Sequence, residues 1–186
     1  MLCVQQAVIH KATPEQVFAM MCHDLGKVPC WNERGNLHGH EAAGVPVVEA
    51  LCDRFKVPNS FRKMALAVTE FHGKVHSVQE VRPATLFDLY VKMGGAKDLE
   101  FFKKVVECSK FDAWGRGPTK EGRDYPQEKY FLGVVKSLVD NRQEISTLAT
   151  EIAEKWKGKP DMVREQIRAM KIGFIKAKMR ELRNEE

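Results

Sequence analysis

An all-α fold is predicted, on three observations. Apolar residues recur at helical spacing along the whole chain, and no stretch alternates with the period of two that a half-buried strand requires. Helix starts and stops are written in by Thr13-Pro14, Pro58-Asn59-Ser60, Arg82-Pro83, Gly94-Gly95, Asp98 and Pro126. With 186 residues, 44% hydrophobic and 30% charged, the chain can bury a core and has the makeup of a globular protein. No repeat or low-complexity run interrupts it, and no apolar run approaches the ~20 residues of a membrane span. The start lacks the basic and apolar stretches of a secretory signal.

Each element follows from local signals. Residues 1–10 read as the tail end of a helix with Leu2, Val4, Ala7, Val8 and Ile9 apolar, as in a fragment of a longer protein. Thr13 caps the next helix, Pro14 takes its first position and Gln16 can close a capping box. That helix carries Val17, Phe18, Met20 and Met21, and delivers His23 and Asp24 near its end. Gly26 is expected to stop it in the left-handed conformation. Residues 27–37, with Pro29, Asn32, Gly35 and Asn36, read as a loop. A helix over about 40–55 turns Val47, Val48, Leu51, Cys52 and Phe55 inward, and Pro46 either bends it or marks its first turn.

Pro58-Asn59-Ser60 caps a helix in which Phe61, Met64, Ala65, Val68 and His72 share one stripe. His76 lies one turn further if that helix continues past Gly73. Arg82-Pro83 opens a helix through Tyr90, closed by Gly94-Gly95. Asp98 caps another, which carries Phe101, Phe102, Val105, Cys108 and, at its end, Asp112. Residues 113–126 read as a charged Gly/Pro-rich loop. Pro126 begins a helix with Tyr130, Phe131, Val134, Val135 and Leu138. Ile145, Leu148, Ile152 and Trp156 mark the next, and Asp161 caps the last, with Val163, Ile167, Met170, Phe174 and Ile175.

Charge is unevenly distributed. Of the net +5, all belongs to residues 155–186, which hold 10 Lys/Arg against 5 Asp/Glu; the rest of the chain is balanced. Such an excess is either a solvated helix face or a contact for a phosphate backbone such as RNA, with Lys171, Lys176 and Lys178 as candidates. Five scattered cysteines without a CxxC predict reduced thiols in a cytoplasm rather than a disulfide frame or a zinc cluster.

The chemistry concentrates in five of the six histidines: His23 beside Asp24, His38 and His40, and His72 with His76, followed by Asp112. Imidazole with carboxylate suits divalent Mn, Co, Ni, Fe or Zn, and with few histidines Mg as well. Neighbouring helical residues point about 100° apart, so a His-Asp pair can share an ion only where the helix ends. An ion so held acidifies a bound water, which points to phosphoester hydrolysis by hydroxide. His40, His72 and His76 suit phosphate contact or proton transfer, and Lys27 offers a cation beside the pair. Each residue also has a plain alternative, a cap, a core histidine or a surface charge. The order His-Asp, HxH, HxxxH, Asp on successive helices is what weighs against accident.

That order resembles the HD superfamily of metal-dependent phosphohydrolases, and more narrowly the C-terminal HD domain of bacterial CCA-adding tRNA nucleotidyltransferases. The words that carry the likeness are Cys22-His23-Asp24-Leu25-Gly26-Lys27, His38-Gly39-His40-Glu41-Ala42-Ala43-Gly44 and Cys52-Asp53-Arg54-Phe55-Lys56-Val57-Pro58-Asn59. Glu70-Phe71-His72 with His76, Asp112-Ala113-Trp114-Gly115-Arg116-Gly117 and Asp124-Tyr125-Pro126-Gln127 complete them. The resemblance implies a helical bundle over residues 1–125 and a basic helical region over 126–186. It implies His23, Asp24 and Asp112 as metal ligands, and their donor types suit Ni, Co, Mn or Mg as the ion. It matches His40 and His72 to further active-site histidines; the residues themselves put Lys27 beside them and leave His38 and His76 as supporting or surface groups. The implied activities are 2′,3′-cyclic phosphodiesterase, 2′-nucleotidase and phosphatase, in a parent whose N-terminal head extends tRNA ends.

Two departures are noted. The family's first histidine would fall about two residues before Met1, and His10, three turns further along, is a poor substitute. No paired-carboxylate DxD or Gly-rich phosphate loop is present, so this chain alone is not expected to polymerise nucleotides. The competing expectations are therefore a phosphohydrolase, a non-catalytic tRNA-gripping tail with an incomplete metal site, and a plain helical bundle.

Overall fold

The structure is a computed structural model that describes residues 2–117 and 122–184. It is all-α: among the described residues the elements are α1 (Leu2–Ile9), α2 (Pro14–Cys22), α3 (Lys27–Arg34), α4 (His40–Arg54), α5 (Asn59–His76), α6 (Pro83–Lys92), α7 (Leu99–Trp114), α8 (Pro126–Asp140), α9 (Arg142–Lys155) and α10 (Pro160–Asn184). Of the loop expected over 113–126, residues 118–121 lie outside the described residues. No described helix is long and apolar enough to cross a membrane, and all five cysteines are free thiols.

The chain forms two compact units, Met1–Val78 with Met93–Glu128, and Gln79–Lys92 with Lys129–Glu186. In the first, α5 is the central element and packs against α2, α4 and α7. Its seven buried residues, Met64, Ala65, Val68, Thr69, Phe71, His72 and Val75, spread over more than one face because neighbours cover it on several sides. Phe102, Val105, Val106 and Phe111 of α7 are fully buried. α1 packs on α7 and α2, where Gln6 and Ala7 face inward while Val8 and Ile9 stay largely exposed. In the second unit, α10 packs against α6 and α9 and buries Ile175 and Met179.

Several local expectations hold. Gln16 Oε1 accepts the Thr13 N–H at 3.0 Å, and the buried Gln16 amide also donates to Lys104 O and Glu107 Oε2 of α7, at 3.1 and 2.9 Å. Asp98 caps α7 by accepting the Phe101 N–H at 2.9 Å. Pro83 and Pro126 open their helices, where a missing N–H costs nothing.

Others are corrected. The 27–37 loop contains α3: Pro29 sits in its first turn, where proline is tolerated, and Gly35 closes it at φ +65°. Gly26 is right-handed, at φ −69°. Its reason is space: a Cβ there would stand 2.0 Å from His40 O and 2.4 Å from Gly44 N. Pro46 is interior to α4, which begins at His40. Phe55 is 67% exposed, because α4 ends at Arg54 and the inward stripe loses its phase there. Asn59 and Ser60 fall inside α5, and no side chain caps it. Asp161 lies in the first turn of α10 rather than at its cap, since Pro160 already opens the helix.

Candidate metal centre

Three helix ends and the C-terminal part of α5 supply the donors of this site. α2 finishes at Cys22, leaving His23 as its cap and Asp24 on the turn beyond it, so the pair escapes the 100° separation of a continuous helix. The Gly26 backbone then lies directly on the first turn of α4, which brings His40 beside Asp24, with Nε2 and Oδ1 3.5 Å apart. His72 comes from α5, and Asp112 from the last turn of α7.

The three imidazoles are oriented alike. Nδ1 of His23 donates to Met20 O at 2.9 Å, Nδ1 of His40 to Leu37 O at 3.0 Å, and Nδ1 of His72 to Val68 O at 3.0 Å. A proton held on Nδ1 leaves Nε2 of the neutral ring as a lone pair, the arrangement found where histidine binds a metal. The Nε2 atoms converge. His23 Nε2 is 3.2 Å from Asp24 Oδ2 and 3.4 Å from Asp112 Oδ1, and the His23 and His40 rings lie 5.0 and 5.5 Å from His72. Ligand atoms of His23, His72 and Asp112 all lie within 4.8 Å of one another, as do those of Asp24, His40 and His72. His23 Nε2, His40 Nε2 and Asp24 Oδ1 are buried without a hydrogen-bond partner. Buried lone pairs left unpaired are costly; a divalent cation satisfies them together, so the donor set fits a metal of the His/Asp-binding kind.

The electrostatics agree. Burial opposes charge on His23, but Asp112 and Asp24 outweigh it and push its pKa up to about 10. Burial likewise opposes ionisation of both carboxyls, yet His23 holds Asp24 and Asp112 well below the ordinary carboxylate range, helped by Lys27 at the first and by His76 and Arg116 at the second. His72 is pushed down by burial and then by the His23 charge, which keeps its ring neutral. The cluster thus demands a positive charge, and without an ion a proton on His23 supplies it.

Around the donors lies a cleft of about 670 Å³, lined among others by Val28, Glu41, Lys27 and Arg116. Lys27 Nζ bonds Asp24 Oδ2 at 2.6 Å. His76 Nε2 bonds Asp112 Oδ2 at 2.8 Å, and Arg116 donates to the same oxygen at 3.0 Å. His38 is exposed and shares neither donor group; its backbone N–H bonds Asn36. His10 is also exposed and leans on Trp114, with ring centres 4.7 Å apart and planes tilted by 46°, outside both donor groups. Arg116 and Tyr125 carried no role in the sequence reading. Arg116 stands four residues beyond Asp112, a helical charge-pair spacing that could have found it, whereas nothing local marks Tyr125. In the second unit Lys176 is exposed, Lys171 is half-buried, and Lys178 bonds Glu181.

No protein-family model matches the chain, and no solved structure matches it. Curated relatives do. A multifunctional CCA protein of Teredinibacter turnerae is 37% identical over 139 residues, 74% of this chain and 34% of that protein. One from Nitrosomonas eutropha is 30% identical over 181 residues, 95% of this chain and 43% of that protein. One from Methylococcus capsulatus is 39% identical over 144 residues, 75% of this chain and 33% of that protein. The chain spans between a third and a half of the length of these relatives. Similarity running through so much of the chain places it in the multifunctional CCA protein family, as the counterpart of one part of such a protein.

Proposed function

We propose that this chain is a metal-dependent phosphohydrolase domain of the HD type, within a CCA-adding tRNA nucleotidyltransferase. The observation that carries the reading is the convergence of three imidazoles, from His23, His40 and His72, with the carboxylates of Asp24 and Asp112 in one cleft. His23, Asp24 and Asp112 would hold the ion, with His72 in reach of the same atoms. When bound, a divalent ion supplies Lewis acidity and an acidified water. The protein's own groups do the rest. Lys27 and Arg116 present cations to phosphate oxygens at the mouth, and Arg116 also steadies Asp112. His40, with Nε2 directed at Asp24 and its other nitrogen tied to Leu37 O, stands where it can contact a phosphate oxygen or carry a proton. Substrates are phosphoesters of the 2′,3′-cyclic or 2′-phosphate kind. Hydrolysis of 2′,3′-cyclic AMP or p-nitrophenyl phosphate by the purified chain with Co²⁺, Ni²⁺ or Mg²⁺ tests this; no turnover with any of the three overturns it.

A second reading is favoured by the charge excess of residues 155–186. In it the helical region 126–186 grips tRNA for the parent enzyme through Lys171, Lys176 and Lys178, whether or not the cleft is active. The two readings are compatible within one protein of the cytoplasm.

A further inference from the structure

We propose that Tyr125 is a positioning residue of the metal centre, acting through His76 on Asp112. The inference rests on the metal-centre reading above. Tyr125 and Asp112 flank the His76 ring: Nδ1 is 2.8 Å from the Tyr125 hydroxyl, and Nε2 is 2.8 Å from Asp112 Oδ2. An ionised Asp112 only accepts, so Nε2 carries the proton and donates to Oδ2. In that tautomer Nδ1 is the acceptor for the Tyr125 O–H, 2.8 Å away. The two rings meet edge to face, with centres 5.8 Å apart and planes at 87°.

This chain of bonds decides which oxygen of Asp112 is left free and would be offered to an ion. Oδ2 receives two donors, His76 Nε2 and Arg116 at 3.0 Å. Oδ1 is left toward His23 Nε2, 3.4 Å away. A carboxylate on the last turn of a helix would otherwise exchange its oxygens by rotation. His76 is itself the last residue of α5, where helices fray, so a bond from outside α5 is what holds its ring.

Tyr125 is well placed to give that hold. Trp114 Nε1 donates to Arg123 O at 2.7 Å, pinning the strand of chain just before it. Pro126 opens α8 immediately after it, with the Glu128 N–H on Tyr125 O at 3.3 Å, and Glu128 bonds Lys110 of α7 at 2.8 Å. The residue is 9% exposed. Burial first, and then the Asp112 charge, push the phenol up, so it stays a donor. Packing alone would be met by phenylalanine; the hydroxyl is spent on His76.

The test compares the wild-type chain with Tyr125→Phe, His76→Ala and the double variant. Co²⁺ affinity is measured by calorimetry, and the His76 tautomer in metal-free protein by long-range ¹H–¹⁵N spectra. Tyr125→Phe should weaken Co²⁺ binding about tenfold, the lower end for groups that orient a ligand, with an unchanged melting temperature. It should also mix the His76 tautomers, and add nothing in the His76→Ala background. Wild-type affinity together with a wild-type tautomer in Tyr125→Phe overturns the proposal. So does a tenfold loss that persists without His76, which would mean action through packing. A wild-type chain that binds no Co²⁺ overturns the metal-centre reading and the positioning role with it; that case is told apart because the wild type itself fails.

Discussion

His23 and Asp112 come from different helix ends, far apart in sequence, yet Nε2 of one stands 3.4 Å from Oδ1 of the other. Both side chains are nearly buried, at 4% and 13% exposure. A buried imidazole between two carboxylates is a site built for a positive charge, and everything expected of the cleft follows from that.

Removing either carboxylate should abolish the activity. Asp24→Ala and Asp112→Ala are each expected to lower kcat/KM for 2′,3′-cyclic AMP by at least about a hundredfold, through metal affinity or turnover. Lys27→Ala should mainly raise KM, since its ammonium stands at the mouth. Steady-state rates across a Co²⁺ titration separate these effects. Turnover by both aspartate variants at the wild-type rate would exclude this cleft as the seat of the chemistry.

Metal binding should release a proton. With the His23 pKa near 10 in the ion-free protein, an ion must displace that proton at neutral pH. Apparent affinity should therefore climb by about one log unit per pH unit from neutrality toward 10. The ion-free protein should behave in the opposite sense. His23 is raised from its ordinary 6.5, so its contribution to stability is complete below pH 6.5 and fades as pH rises through 10. Asp24 and Asp112 are lowered from 3.8, so theirs is present above that value and lost in acid. Calorimetric titrations and thermal melts at several pH values, with and without Co²⁺, read both trends; a pH-independent Co²⁺ affinity contradicts them.

Substitution at Gly26 should be severe and at Gly73 mild. A Cβ on Gly26 meets backbone, His40 O at 2.0 Å and Gly44 N at 2.4 Å, and neither can swing away. Gly26→Ala is expected to cost about 3 kcal/mol or more and to shift His40 from Asp24. On Gly73 the obstacle is Glu41 Oε1 at 2.3 Å, the tip of a flexible chain. Gly73→Ala should stay within about 1 kcal/mol, because helix propensity also favours alanine. Denaturant melts of the two variants decide, and equal losses would contradict the packing account.

If the second unit grips tRNA, its affinity should fall steeply with salt. Replacing Lys171 or Lys176 by Ala should each make the slope of log K against log salt shallower by about one. Lys178→Ala should do less, because Glu181 already shares its charge. Filter binding between low and moderate salt measures this, and a flat dependence rules the contact out.

The sequence by itself determined the helical class and most helix boundaries, and it offered the candidate donors as residue types without their geometry. Those are matters of short-range chemistry: an apolar period along α5, a carboxylate at Asp98 aimed at its own first turn, proline at the start of α6 and α8. Pro29 misled because a breaker in the interior of a helix is acceptable in its first turn, and only the turn after Asp24 placed it there. Gly26 was marked as special for the wrong reason, since a glycine chosen for a close backbone crossing looks, in one dimension, like one chosen for a left-handed turn. Tertiary structure alone decided that His40 and His72 point Nε2 at the same space as Asp24, that His38 and His10 do not, and that Arg116 and Tyr125 reach the Asp112 carboxylate directly and through His76. Such distances are set by how helices pack, and packing joins residues that share no neighbourhood along the chain.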